Sequence, residues 1–273
     1  MTAHQESIID QFTRQAIPFS KLYAHTNQES LYLLREMASV SDKDTVLDVA
    51  CGSGIVSCAF AEVASHVTGI DITPAMLEQA QILAQQKNLI NLSWQQGDIE
   101  TLPFPDATFS LVLSRYAFHH FLQPDVVLSE MVRVCRPGGR ILIADVALPP
   151  DKVNAYDRIE KLRDPSHTRA LTLEEFPKLV ADANLQNVKL AFYKVELGLE
   201  QQLAASFPNP GDDQKIREIF REDIGVDSLG IGAHFRGEGI HYAVPIAVIV
   251  GDKIAYVLST QNKSNRVPLI TNN

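Results

Sequence analysis

The stretch that decides the fold is Thr45-Val46-Leu47-Asp48-Val49-Ala50-Cys51-Gly52-Ser53-Gly54. A short run rich in β-branched residues predicts a strand, and it ends at two glycines, which tolerate positive φ and let a ligand approach the backbone closely. Val56, Ala59, Phe60 and Val63 follow at helical spacing and predict an amphipathic helix. Free amides at the start of that helix would face a ligand at the end of the strand.

The same alternation of strand and helix continues along the chain. Helical patterns separate and follow the strand-like runs, which lie at 66–70, 92–96, 109–114, 140–146, 188–197 and 242–250. Strands that alternate with helices predict a parallel sheet with right-handed crossovers. We therefore predict an α/β, Rossmann-like fold with a seven-stranded mixed sheet, helices on both faces and a helical cap or lid. The last strands should include an antiparallel hairpin.

The segments outside this alternation divide the chain. We predict a single domain over 1–253 and a polar C-terminal tail over 254–273. Within the domain we distinguish four parts: an N-terminal helical cap (1–41), a cofactor-binding core (42–148), a stretch of lid, helix, strand and insertion (149–240), and the last strand (241–253). The prolines and glycines around 207–240 suggest an irregular wall beside the sheet.

Composition narrows the functional classes. The chain has 273 residues, of which 45% are hydrophobic and 21% charged, as in a globular protein with a substantial core. A formal net charge of −9 repels phosphate backbones, so nucleic acid is not an expected partner. Three cysteines without metal-ligand spacing predict no metal site and fit a reducing, cytoplasmic location. No apolar run is long enough to predict insertion into a membrane, and no signal peptide is apparent.

A carboxylate at the end of the second strand bears on the ligand. Asp71 lies roughly twenty residues after the glycines, where it can accept both hydroxyls of a ribose. A dinucleotide-binding domain would share this feature, but the position of its third glycine is occupied by Ser57. Asp48 precedes the glycines and would suit a cationic amino-acid ligand better than a pyrophosphate. Asp98 follows the third strand, where it can meet an adenine amino group. These details favour an adenosyl amino acid over NAD.

Four segments together resemble the class I S-adenosylmethionine-dependent methyltransferases. The similarity is greatest to the branch that contains the ubiquinone/menaquinone-biosynthesis C-methyltransferases and many small-molecule methyltransferases. It extends over about 45–146, and the segments that carry it are 46–54, 69–77, 97–104 and 136–139. Each segment alone also occurs outside this family, whereas the four segments in this order and at this spacing are specific to it.

The resemblance implies S-adenosyl-L-methionine as cofactor. It places Gly52 and Gly54 against the amino-acid part, Asp71 on the ribose and Asp98 at the adenine edge, with Arg115 at the methionine end. The full set of expected cofactor-binding residues is Asp48, Ala50, Gly52, Gly54, Asp71, Ile72, Met76, Gly97, Asp98, Ile99, Ser114 and Arg115.

The acceptor site is expected at the carboxyl end of the sheet. His119, just after the fourth strand, would act as a general base or orient the acceptor; alternatively, one residue of the pair His119–His120 bonds to the backbone while the other is exposed. The charged segment 163–169 would bind a substrate anion, or else brace a helix-turn-helix. The expected substrate-binding residues are Phe19, Tyr23, Phe118, His119, Arg163, His167 and Arg169.

The predicted reaction is methyl transfer from S-adenosylmethionine to a carbon, oxygen or nitrogen of a small-molecule acceptor, by a monomer or homodimer. Three alternatives stay open: a cyclase or isomerase that binds S-adenosylmethionine without methyl transfer, an NAD-dependent oxidoreductase, and a non-catalytic binding subunit.

Overall fold

The fold is described from a computed structural model, which covers residues 2–20, 27–258 and 266–268, with side chains for 2–19 and 27–255. The helices are α1 (Ala3–Ser20), α2 (Gln28–Ala38), α3 (Ile55–Ala61), α4 (Pro74–Gln86), α5 (Pro124–Val134), α6 (Pro150–Arg163), α7 (Glu175–Asp182), α8 (Leu199–Ser206) and α9 (Asp212–Asp223). The strands are β1 (Thr45–Val49), β2 (His66–Asp71), β3 (Leu92–Gln96), β4 (Phe109–Arg115), β5 (Cys135–Leu148), β6 (Leu171–Thr172), β7 (Gln186–Gly198), β8 (His234–Arg236), β9 (Gly239–Asp252), β10 (Tyr256–Leu258) and β11 (Arg266–Pro268).

The main sheet has the order β3-β2-β1-β4-β5-β9-β7. Strands β1 to β5 pair in parallel, whereas β9 runs antiparallel to both β5 and β7. The short strands β6 and β8 pair with β5 and β9 at its margins. The predicted Rossmann-like, seven-stranded mixed sheet is therefore confirmed, with its antiparallel end formed by β7 and β9.

Alternating side chains of the central strands build a core on each face of the sheet. On one face Val46 and Leu111 pack with Leu34 of α2 and Phe60 of α3. On the other face Leu47 packs with side chains that include Met131 of α5 and Phe176 of α7. The sheet is thus covered on both sides, which leaves the carboxyl ends of β1, β2, β4 and β5 as the place for a site.

Three segments differ from the sequence expectation. The stretch after β7 forms α8 and α9 rather than an irregular wall, with Ile216 and Phe220 buried on one side of α9. Its prolines and glycines mark the helix ends: Gly211 is the N-cap of α9 at φ +86°. Strand β5 begins at Cys135, five residues before the predicted start, beside a register shift against β4. In the tail, β10 and β11 pair antiparallel.

Helix α1 closes the carboxyl end of the sheet from above. Its Gln11 and Gln15 side chains donate hydrogen bonds of 2.5 and 3.0 Å to the carbonyl of Ser206 in α8. The Nε2 atom of His4 lies 2.7 Å from the carbonyl oxygen of His120. Of the predicted N-terminal cap (1–41), α1 thus covers the carboxyl end of the sheet, whereas α2 packs on one face of the sheet through Leu34. Among the helices the structure describes, none is both long and apolar enough to cross a bilayer.

Candidate active site

The turn after β1 carries three residues with positive φ: Ala50 (+56°), Gly52 (+51°) and Gly54 (+75°). A Cβ atom on Gly54 would lie 2.7 Å from the Cβ of Ala80 and 2.8 Å from the Trp94 ring, so this glycine allows close packing of the turn. A Cβ atom on Gly52 would meet nothing within 4 Å. Gly52 therefore presents open backbone to the cavity, whereas Gly54 faces the protein.

Asp71 ties the turns after β1 and β2 together. Its Oδ2 accepts a 2.8 Å hydrogen bond from the amide of Gly52, and its Oδ1 accepts one of 2.8 Å from the amide of Thr73. Burial raises the pKa of this carboxyl above its ordinary value, although these backbone hydrogen bonds oppose the shift. Asp71 thus orders both turns and also borders the cavity.

Asp48 lies behind the glycine turn. It is 1% exposed, and its Oδ2 accepts a 2.6 Å hydrogen bond from the Ser57 hydroxyl. Burial raises the pKa of Asp48 to about 7, and the nearby charge of Asp71 adds to the increase. Ser57, which replaces the third glycine of a dinucleotide motif, therefore serves as a partner of this carboxyl.

A cavity of ≈ 340 Å³ lies at the carboxyl ends of β1, β2, β4 and β5 and is roofed by α1. Most of the predicted site residues border it: Phe19, Ala50, Gly52, Asp71, Ile72, Met76, Asp98, Ile99, Arg115, His119 and Arg163. Seven others lie outside its wall: Asp48, Gly54, Gly97, Ser114, Phe118, His167 and Arg169. Tyr23 lies outside the described residues.

Several residues outside the wall hold neighbouring segments in place. The Ser114 hydroxyl donates to the carbonyl of Val49 at 2.9 Å, which joins the ends of β4 and β1. His167 is buried, with its Nε2 2.8 Å from Asp157 Oδ1. Arg169 is half-exposed and pairs with Glu175. The charged segment 163–169 therefore forms polar contacts within the protein, as expected if it braces neighbouring helices.

His119 and Asp145 form a buried pair that borders the cavity. The Nδ1 atom of His119 lies 2.7 Å from Oδ1 of Asp145. Asp145 is 1% exposed, and it also accepts hydrogen bonds of 2.6 Å from the amides of Phe118 and Val146. Burial lowers the pKa of His119, but the charge and hydrogen bond of Asp145 outweigh it, and the net pKa is raised. The pKa of Asp145 is lowered: burial opposes this, and His119 and the backbone donors prevail.

The adjacent histidine has a different environment. The Nδ1 atom of His120 lies 3.1 Å from the carbonyl oxygen of Ser166, and Phe12 of α1 packs against its ring edge-on. Burial, together with the charge of His119, lowers the pKa of His120, so this ring is neutral. Of the histidine pair, His120 therefore bonds to the backbone, as one interpretation predicted, but His119 is paired with Asp145 rather than exposed.

Glu160 and Arg163 of α6 form an ion pair on the cavity wall. The guanidinium of Arg163 contacts both carboxylate oxygens of Glu160, at 2.5–3.1 Å, and donates to the Ser206 hydroxyl at 3.0 Å. Each side chain is 11% exposed. The pKa of Glu160 is lowered because the charge and hydrogen bonds of Arg163 outweigh its burial. The positive charge of Arg163 is thus already balanced by the carboxylate of Glu160.

The side of the cavity away from the predicted cofactor residues is mainly apolar, and none of its residues was among the predicted site residues. Strands β7 and β9 turn alternate side chains towards it: Val195, Leu197, Tyr242, Val244 and Ile246. Both strands could be predicted from the sequence, but the pattern of their side chains did not show which face borders the cavity. The other missed residues include the polar side chains Asp145, Tyr156, Glu160 and Gln202, whose role depends on distant partners. An acidic residue inside the apolar run 141–148 was the one available signal.

The roof over the predicted cofactor end comes from α1. The Gln5 side-chain amide donates a 2.8 Å hydrogen bond to Oδ2 of Asp98, and Ile8 and Phe12 border the cavity from the same helix. Among 2–20, 27–258 and 266–268, no group of three or more His, Cys, Asp or Glu residues is arranged to hold a metal ion.

Comparison with known proteins agrees with this geometry. Residues 47–143 match the model of the methyltransferase domain family. The chain is 35% identical over 246 residues to the uncharacterized methyltransferase YcgJ of Bacillus subtilis (strain 168), covering 89% of this chain and 97% of that one. The crystal structure of YcgJ superposes with a TM-score of 0.76 at 26% identity over 83% of this chain and 99% of that one.

Two further comparisons bear on the branch and on the alternatives. The ubiquinone/menaquinone biosynthesis C-methyltransferase UbiE of Roseobacter denitrificans is 30% identical over 177 residues, covering 56% of this chain and 70% of that one. The [4+2]-cyclase SpnF has a TM-score of 0.58 at 18% identity, over 82% of this chain and 81% of that one, which shows a shared fold alone. Sequence similarity thus favours methyl transfer over the cyclase alternative, and the chain belongs to the class I S-adenosylmethionine-dependent methyltransferases.

Proposed function

We propose that this protein transfers a methyl group from S-adenosylmethionine to a small-molecule acceptor, with His119 accepting the proton that the acceptor loses. The observation that supports it best is the His119–Asp145 pair, which borders the same cavity as Gly52, Asp71 and Asp98. One cavity therefore joins a base to residues suited to an adenosyl ligand.

The residues at one end of the cavity fit S-adenosylmethionine. Gly52 leaves room against the backbone of the β1 turn, and Asp71 borders the cavity where a ribose would bind. Ile72 and Ile99 offer apolar surface for an adenine, and Asp98 supplies an acceptor for its amino group. When bound, the cofactor supplies an electrophilic methyl group on a sulfonium.

The chain's own residues would orient the acceptor and remove its proton. Asp145 accepts from Nδ1 of His119, which leaves the Nε2 lone pair of the neutral ring to take a proton. The raised pKa of His119 makes the neutral ring more basic and confines it to higher pH. Helix α1 covers the cavity and would exclude water during transfer, as lids commonly do.

Calorimetry with S-adenosylmethionine and with NAD tests the cofactor assignment. We expect binding of S-adenosylmethionine in the micromolar range, typical of enzyme ligands, and no comparable binding of NAD. Tight NAD binding without S-adenosylmethionine binding would overturn the proposal. With an accepted substrate, formation of S-adenosylhomocysteine separates methyl transfer from cyclase chemistry, and His119→Ala should lose most of that product while keeping cofactor affinity.

A further inference from the structure

We infer that the acceptor is an uncharged, mainly apolar molecule whose end remote from the reacting atom carries a hydroxyl that donates a hydrogen bond to Gln202. This inference rests on the proposed function and identifies the class of its acceptor. Four observations lead to it: the order of the strands, the apolar wall, the pairing of the charges and one buried amide oxygen.

The strand order sets the sequence of groups along the cavity. The predicted cofactor residues follow β1 and β2, whereas His119 follows β4 and Asp145 lies on β5. Strands β9 and β7 come next, so the wall that they form lies on the side of His119 away from the cofactor end. Neighbouring strands are about 4.8 Å apart, which puts β9 roughly 14 Å from β1. An acceptor that reacts beside His119 therefore extends along β9 and β7.

This extension of the cavity is apolar. Leu197 and Tyr242 are register partners, as are Val195 and Val244, and all four side chains border the cavity. Tyr156 of α6 also borders the cavity and, like Tyr242, adds an aromatic ring with one phenol hydroxyl. A site with such a surface is stabilised by excluding water from an apolar ligand, so the body of the acceptor must be largely apolar.

Among residues 2–19 and 27–255, the charges that border the cavity include no free cation for an acceptor anion. Among the described residues, six carboxylates but only two arginines border the cavity. Arg163 is held by Glu160, and Arg115 lies 4.1 Å from the Tyr116 ring centroid and donates to Ser30 Oγ at 3.1 Å. Beside this wall a cationic group would have to compete for two carboxylates that are already engaged, Glu160 by Arg163 and Asp164 by the amide and hydroxyl of Ser166. Because burial of an unpaired charge is costly, the site favours an uncharged acceptor.

Gln202 supplies the polar contact at the far end. It lies on α8 directly after β7, is 7% exposed and borders the cavity, and its Oε1 is buried without a hydrogen-bond partner among the described residues. One turn later the Ser206 hydroxyl donates a 2.6 Å hydrogen bond to the carbonyl of Gln202 and accepts one from the Arg163 guanidinium. Buried polar groups in native proteins are usually paired. Protein atoms cover this oxygen, so a hydroxyl on the acceptor would reach it once the terminal amide of Gln202 rotates towards the cavity.

Matched probe compounds test the inference. On flat aromatic and on aliphatic ring frames, we would compare a diol, the corresponding single alcohol and the corresponding hydroxy-carboxylate. Calorimetry on the full chain saturated with S-adenosylhomocysteine should show the diols binding about tenfold more tightly than the single alcohols, the size of one hydrogen bond. The carboxylates should bind more weakly than the diols. Tighter binding of the carboxylates, or no binding by any probe at millimolar concentration, would overturn the inference.

Variants at one position test the role of Gln202. Gln202→Leu should abolish the preference for diols while leaving single alcohols unchanged, whereas Gln202→Glu, which keeps an acceptor oxygen, should retain it. Gln214→Leu, an exposed change on α9, is the matched control. A diol preference that survives in Gln202→Leu refutes the assignment. S-adenosylmethionine affinity, measured separately, distinguishes failure of the proposed function from failure of this inference. If the wild type does not bind S-adenosylmethionine, the proposed function is wrong. If it binds S-adenosylmethionine but the probe series fails, only this inference is wrong.

Discussion

Asp145 holds His119 through a 2.7 Å contact between Oδ1 and Nδ1, and the same carboxylate receives the amides of Phe118 and Val146. The two residues come from adjacent parallel strands, one from the loop after β4 and the other from within β5. The carboxylate therefore fixes both the orientation of the ring and the loop that presents it. Its charge also sets the proton affinity of the ring.

The first prediction concerns the titration of His119. The pKa of His119 in the wild type should lie above the ordinary histidine value, because the Asp145 charge and hydrogen bond outweigh burial. In Asp145→Asn the charge is gone while burial stays, so the pKa should fall below that of the wild type. NMR titration of the ring protons measures both values, with His234, which is exposed on β8, as internal reference. Equal pKa values in the two proteins would show that the pair is not coupled.

The second prediction is the pH dependence of the stability that this pair contributes. The raised pKa of His119 gives stability that is present at low pH and lost as pH rises through its folded pKa, whereas the lowered pKa of Asp145 gives stability that is lost as pH falls through its own folded pKa. The contribution should therefore peak between the ordinary aspartate and histidine values, roughly pH 4 to 6.5. Urea unfolding of wild type and Asp145→Asn across pH checks this. A difference that grows steadily above pH 8 would contradict it.

The third prediction concerns Asp71. In Asp71→Asn the amide nitrogen must face one of the two backbone donors, either Gly52 or Thr73, so one hydrogen bond is lost and the β1 turn loosens. By the proposed function the ribose hydroxyls also lose a charge-assisted hydrogen bond to this carboxylate, which costs roughly 1.5–3 kcal/mol, so S-adenosylmethionine should bind at least about tenfold more weakly. Calorimetry checks this, with the exposed Asp125→Asn of α5 as control. Unchanged affinity would restrict Asp71 to a structural role.

The fourth prediction separates two reasons for a glycine. Gly54 has positive φ and no room for a Cβ atom, whereas Gly211 has positive φ but open space. Alanine at 211 should cost about 1 kcal/mol of unfolding free energy through backbone strain. Alanine at 54 should cost about 1–3 kcal/mol more, because Ala80 and Trp94 must also shift. Chemical denaturation measures both costs, and equal losses would show that the turn relaxes freely.

The fifth prediction concerns the ion pair on α6. Glu160→Gln removes the partner of a guanidinium whose side chain is 11% exposed, so it should destabilise the protein by about 3–5 kcal/mol. Combining it with Arg163→Met removes the unpaired charge and should restore part of that loss. Urea unfolding of the two proteins is the measurement. A double variant less stable than Glu160→Gln would indicate that Arg163 has a further essential contact.

The amino-acid sequence by itself determined the fold class and indicated the residues proposed to bind the cofactor. Strand and helix periodicities depend on neighbours within a few residues, so the strands β1 to β5 and their parallel alignment could be predicted, as could antiparallel pairing among the last strands. The glycine turn 52–54 and Asp71 are positioned by the ends of two such strands. The elements themselves were missed where prolines and glycines mark helix ends instead of an irregular segment, as they do around α8 and α9.

The tertiary structure alone brought together the residues of the proposed acceptor end. Asp145 meets His119 across 26 positions of sequence, and Gln11 of α1 reaches Ser206 across 195. Such contacts depend on which strands become neighbours and on which face each side chain occupies, and neither is encoded in local periodicity. The apolar wall of β7 and β9 and the buried oxygen of Gln202 became visible for the same physical reason: a cavity is formed by residues that are distant in sequence, and its chemistry exists only after they have packed together.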